Sequence, residues 1–154
     1  MRDIKFRAWL PDCEIMLSDI TIYSNGQIGV SADDLEEAVK NKNKDWHIND
    51  DGVYHSDEEH FDLIQNLLSG DDWYWIDDAE VMQYTGLKDE NRKEIYEGDV
   101  ISDGVKGLFL VEWNDDTCKF QFSDGTDIND GLRYGTSKLI MGNIYENPEL
   151  LKGE

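Results

Sequence analysis

Carboxylates are the chemical groups this chain supplies in excess: 35 Asp and Glu against 14 Lys and Arg, with three His and two Cys in 154 residues. Glycoside hydrolysis needs two carboxylates across a cleft with their pKa values driven apart. Among so many acids some pair always meets a distance criterion, so abundance removes the signal. A calcium loop needs oxygen ligands at positions 1, 3 and 5, Gly at 6 and Glu at 12. Asp124-Gly125-Thr126-Asp127-Ile128 puts Ile at position 5, and counting from Asp127 puts Gly there. An irregular divalent site over 124–130 therefore competes with the simpler reading, a polar hairpin tip. His47, His55 and His60 lack the i, i+4 spacing that places two imidazoles on one helical face for zinc.

Cys13 and Cys118 form no CxxC and have no neighbouring His to serve as a base. Both are expected to be free thiols, buried by default. No GxxxxGK[ST] or GxGxxG occurs, which argues against an ordinary kinase, NTPase or dehydrogenase. These residues assign no catalytic group, no cofactor and no metal site, and the chain is expected not to be an enzyme.

Trp73-Tyr74-Trp75-Ile76 lies between Asp71-Asp72 and Asp77-Asp78. Such a cluster could stack single-stranded bases, but its flanking carboxylates repel the phosphates that must lie nearby. Core packing and a protein-contact patch are the better readings, because aromatic residues concentrate at binding hot spots. Asp71, Asp72, Trp73, Trp75, Asp77 and Asp78 are accordingly the candidate partner-binding residues.

The net charge of −21 weakens direct nucleic-acid and anionic-membrane binding alike, since both depend on Lys and Arg. Residues 33–80 carry 16 acids and 3 bases, so a net −13 sits in under a third of the chain. A localised acidic face can solvate, or it can mimic DNA phosphates in another protein's basic cleft. With no apolar run of about 18 residues and no leader-like h-region, a location in the cytoplasm is expected.

The elements that would hold these groups are read from periodicity. Ile4, Phe6 and Ala8 alternate with Lys5, Arg7 and Trp9, which predicts a strand over 3–10 with the first set inward. Pro11-Asp12 turns into a short strand at Glu14–Leu17. Asn25-Gly26 between Ile20–Tyr23 and Gln27–Val30 predicts a tight primed hairpin. Leu35, Ala38 and Val39 predict a short helix over 33–40. A second hairpin is expected about Asp51-Gly52. Ser56-Asp57-Glu58-Glu59 is a capping box opening a helix over 57–69, whose apolar stripe would cover the Trp73–Trp75 cluster.

From Val81 on, short strands recur at about ten-residue spacing between turn signals. They lie at 81–84, 100–101, 107–113, 117–122 and 137–145, with a turn-rich loop over 85–91. That rhythm predicts a small barrel.

Three blocks carry a family resemblance: Ile4-Lys5-Phe6-Arg7-Ala8-Trp9; Met82-Gln83-Tyr84-Thr85-Gly86-Leu87-Lys88-Asp89 with Lys93-Glu94-Ile95-Tyr96-Glu97-Gly98-Asp99-Val100; and Gly142-Asn143-Ile144-Tyr145-Glu146-Asn147-Pro148-Glu149-Leu150. In these the chain resembles the YopX family of phage and prophage proteins. Members often carry Gly where this chain has Arg92, and the span 31–72 is longer than the family needs. The resemblance implies a mainly β protein with an SH3-like small β-barrel in the C-terminal half, encoded by a phage or prophage of a bacterial host. It implies no activity.

The expected organisation is 1–80, β-hairpins with an acidic helical insertion at about 31–72, followed by the barrel at 81–154, with one or two helices in all. The expected function is a non-enzymatic accessory protein that binds a host or phage protein. A DNA mimic, or a hydrolase with a non-obvious carboxylate site, are the alternatives. Exposed edge strands are compatible with a homo-oligomer.

Overall fold

Period-two alternation accounts for most of what forms. The computed structural model describes residues 3–42, 73–76, 78–104, 107–133 and 138–152. Over these the protein is mainly β, with curled antiparallel sheets, two α-helices and one short 3-10 helix. The hairpin expected about Asp51-Gly52 and the helix expected over 57–69 lie outside the described residues. The chain divides into two compact units. One runs from Phe6 to Val81; the other joins the chain up to Lys5 with everything from Met82 on.

In the Phe6–Val81 unit, β1 (Phe6–Leu10) and β2 (Ile15–Leu17) pair with Ala8 opposite Leu17 and Leu10 opposite Ile15. The alternation predicted for β1 fails at two places. Ile4 is 70% exposed, because the strand starts only at Phe6. Arg7 is buried beside Ala8, so the inside–outside rule that holds for a half-buried strand does not hold here.

β3 (Thr21–Ile22), β4 (Ile28–Ser31) and β5 (Trp73–Ile76) form a second sheet in the order β3-β4-β5. The two-residue primed turn predicted at Asn25-Gly26 is instead a three-residue loop. Tyr23 N–H donates to Gln27 O and Gly26 N–H to Tyr23 O, both at 2.9 Å, and Gly26 takes φ 85°. Asn25 contributes its side chain, accepting from Gln27 N–H at 3.1 Å.

α1 (Ala32–Lys42) follows directly on β4. Ser31 caps it: its hydroxyl accepts from Asp34 N–H at 3.2 Å and donates to the Asp34 carboxylate. Leu35 and Val39, one turn apart, are fully buried and pack with Leu10, Ile15, Leu17 and Val30 in this unit's core.

The other unit contains β6 (Glu80–Lys88, from Met82), β7 (Glu94–Tyr96), β8 (Asp99–Ser102), β9 (Leu108–Asn114), β10 (Lys119–Phe122), α2 (Ile128–Arg133), β11 (Leu139–Asn143) and a 3-10 turn at Pro148–Leu151. The strand predicted at 81–84 runs on to Lys88. It crosses the expected loop at 85–91 through a register shift between Tyr84 and Lys88 that absorbs the left-handed Gly86.

β8 to β11 make a four-stranded sheet in the order β10-β9-β8-β11. Ile101, Val111, Phe120 and Phe122 project into one core with Ile95 of β7 and Ile128 of α2. Cys118 was expected to be buried in a strand. It is exposed at φ 51°, because a four-residue turn occupies 115–118 and β10 starts at Lys119.

Candidate functional site

Side chains of the second and third family blocks bind backbone groups of the unit they lie in. Thr85 Oγ1 donates to Ile95 O at 2.8 Å and accepts from Leu87 N–H at 3.2 Å, fastening the bulge in β6 to β7. Asp89 is buried. Its Oδ1 accepts from Lys93 N–H at 2.8 Å and its Oδ2 from Ile140 N–H at 3.3 Å, so one carboxylate closes a hairpin and ties it to β11. Asp99, 1% exposed, accepts from Tyr96 N–H at 2.8 Å. Asn143 accepts from both Tyr145 N–H and Glu146 N–H, at 3.0 and 2.9 Å, and holds the chain reversal before Pro148. A buried carboxylate whose oxygens already accept from amides has fewer lone pairs to offer a substrate.

A buried ionic pair is internal as well. Lys138 Nζ lies 3.6 Å from Asp103 Oδ2 and sits 5.6 Å from the Phe109 ring centre and 5.9 Å from that of Phe122. Asp103 Oδ1 accepts from Gly107 N–H at 3.3 Å. Two aromatic faces and a carboxylate satisfy the ammonium in place of water. Among the described residues, three exposed or half-buried acids have displaced pKa values. Glu94 is lowered, first by the hydrogen bond Lys5 Nζ donates to it at 2.7 Å. Asp127 is lowered, first by the Asn129 N–H at 2.9 Å. Glu97 is raised, chiefly by burial, against the opposing amides of Gln83 and Trp113.

The acids at 124–130 behave as turn residues. Asp124 Oδ1 accepts from Thr126 N–H and Asp127 Oδ1 from Asn129 N–H, while Asp127 pairs with Lys119 at 3.4 Å. Among the described residues no group of three or more His, Cys, Asp and Glu is placed to hold a metal ion. His47, His55 and His60 lie outside the described residues.

Of the residues singled out as partner-binding, Trp75 is the most informative. It is 53% exposed, so it is not core. In register it stands opposite Gly29, which stands opposite Thr21. Gly29 has no side chain to fill the space between, and the Trp75 ring packs edge-on against Tyr23, with ring centres 4.9 Å apart at 64°. Tyr23 and its neighbour Ile22 are exposed too. Asp78 is exposed just past β5, at φ 55°. Trp73 pairs through its backbone with Ser31. Asp71, Asp72 and Asp77 lie outside the described residues. Tyr23 was missed from sequence. It sits 52 positions from Trp75, and only the sheet order brings the two rings together.

Among the described residues no helix is long and apolar enough to cross a membrane. No curated protein matches the chain significantly. Among solved structures, the crystal structure of protein EF1440 from Enterococcus faecalis is similar, at 26% identity and a TM-score of 0.57, over 98% of this chain and 99% of that one. The model of the family described as YopX protein matches residues 5–152. That span takes in nearly all of the three sequence blocks, the second and third of which fasten turns and strands here, and the chain belongs to the YopX family.

Proposed function

We propose that this chain is a non-enzymatic accessory protein, carried by a phage or prophage in the cytoplasm of its host, that works by binding another protein. The observation that supports this most is the Tyr23–Trp75 pair: two large rings left in solvent on a sheet, where burying them on a partner would supply a hot spot. The amide-bonded state of Asp89 and Asp99 supports the non-enzymatic part of the reading.

The proposal extends to the fold: the unit built on β6 to β11 is an SH3-like small barrel. The meander β8-β9-β10, with β11 returning beside β8 after the short helix α2, supports it, as does the single core shared by β7 to β10.

The test is site-specific photo-crosslinking in host cells, with the reactive residue at position 75 and a control at the exposed Thr117. A discrete adduct with another protein at 75, absent at 117 and competed away by unlabelled chain, supports the reading. Adducts with self alone, or equal labelling at both positions, refute it.

A further inference from the structure

The exposed ring pair points to a particular kind of partner. Tyr23 and Trp75 meet edge-on at 64° rather than in a flat stack, and both are exposed, which leaves ring face for a ligand at this corner. The negative face of an aromatic ring attracts a cation, Trp more strongly than Tyr. Register sets what surrounds the corner. β3 and β5 both run antiparallel to β4, so they share a direction. Asp19 precedes β3 by two positions and Asp78 follows β5 by two, and both are exposed. An acid therefore stands at either end of the sheet that carries the rings.

Charge narrows the occupant further. With −21 on each chain, a second copy brings like charge to the same face. Nucleic acid and an anionic membrane bring it too. A basic segment of another protein gains both from the field and from the rings. We propose that the Tyr23–Trp75 corner is a docking point for an arginine- or lysine-bearing segment of a partner protein, its cationic group seated against the two rings. The proposal rests on the protein-binding function above and names the chemistry of the partner.

The probe is an acetylated, amidated peptide with alternating Arg and Ser, titrated into the full chain by calorimetry and by following the Trp75 indole N–H in NMR. That resonance is assigned by its loss in Trp75→Leu. A second peptide carries citrulline, the uncharged isostere, in place of each Arg. The corner predicts that the Arg peptide shifts the Trp75 indole and that the citrulline peptide does not. It also predicts that Trp75→Leu and Tyr23→Leu each weaken binding about fivefold, which is what about 1 kcal/mol of cation–π attraction amounts to. Because Leu keeps the apolar bulk, loss of fold is checked by the Trp9 and Trp113 indoles, which should not move.

Binding of the Arg peptide that is unaffected by both substitutions overturns the corner as the dock. Equal binding of the citrulline peptide overturns the cation. Neither result touches the crosslinking test at position 75, so the two readings fail separately.

Discussion

Replacing Arg92 by Gly should stabilise the unit that contains β6 to β11. Three hairpin loops here share one geometry. Gly26 N–H donates to Tyr23 O, Arg92 N–H to Asp89 O and Gly125 N–H to Phe122 O, at 2.9, 2.9 and 2.8 Å. In each the donor takes a left-handed φ: 85° for Gly26, 68° for Arg92 and 85° for Gly125. Two of the three positions hold Gly, and the departure from the family pattern at Arg92 leaves the turn form intact. An L residue in this region costs about 1–2 kcal/mol. Gly returns about 0.5–1 kcal/mol of that through the greater freedom of the unfolded chain. The net expectation is a gain of about 0.5–1 kcal/mol. Arg92→Ala keeps the backbone cost and should change stability by less than about 0.5 kcal/mol. Trp113 is the single Trp after residue 81, so a urea titration read from the fluorine resonance of fluorotryptophan at position 113 reports this unit. If Arg92→Ala stabilises as much as Arg92→Gly, or if Gly lowers the urea midpoint, the backbone reasoning is wrong.

Three further predictions test the scaffold role of the family blocks. Asp89→Ala removes the acceptor for two amides, Lys93 N–H and Ile140 N–H, and should cost about 2–4 kcal/mol in the same titration, whereas Lys93→Ala, which keeps its N–H, should cost little. Gly142→Ala places a methyl on Asn147 Oδ1 and 2.9 Å from Leu150 Cδ1. It should cost about 1–3 kcal/mol, partly recovered by adding Asn147→Ala. Glu97 titrates above its ordinary range because it is half-buried, so the folded state prefers it protonated. Its contribution is fully present below the unfolded-state pKa and is lost as pH rises through the raised folded value. Glu97→Gln should therefore unfold at higher urea than the parent at pH 7, and the difference should shrink on acidification; a difference that grows toward acid pH contradicts the assignment.

Local signals carried most of the strands, because period-two burial and turn residues are properties of neighbours in sequence; β5 and β7 were not read. α1 was legible for the same reason, from Leu35, Ala38 and Val39, while its Ser31 cap was not read. What escaped depended on partners far along the chain. Arg7 reads as a surface position in an alternating strand, yet it is buried in succession with Ala8. Gly86 reads as a break, yet the pairing with β7 carries β6 through it as a bulge. Cys118 reads as a strand residue, yet the β9–β10 register leaves it in the turn. α2, only six residues long, offered little periodicity, although Asp127 before it is a cap signal that was available. Of the candidate site, the exposed Trp75 was named from sequence, while Tyr23 became visible only through the order β3-β4-β5.

The family blocks fasten the fold, and the Tyr23–Trp75 face is the proposed binding surface. Amide hydrogen exchange over the whole chain, with and without the Arg-containing peptide, separates the two most directly. The expected result is new protection confined to 21–31 and 73–76, with 82–100 and 139–150 unchanged. Protection that appears instead in 82–100 or 139–150 would place the binding surface on the blocks themselves and contradict the account.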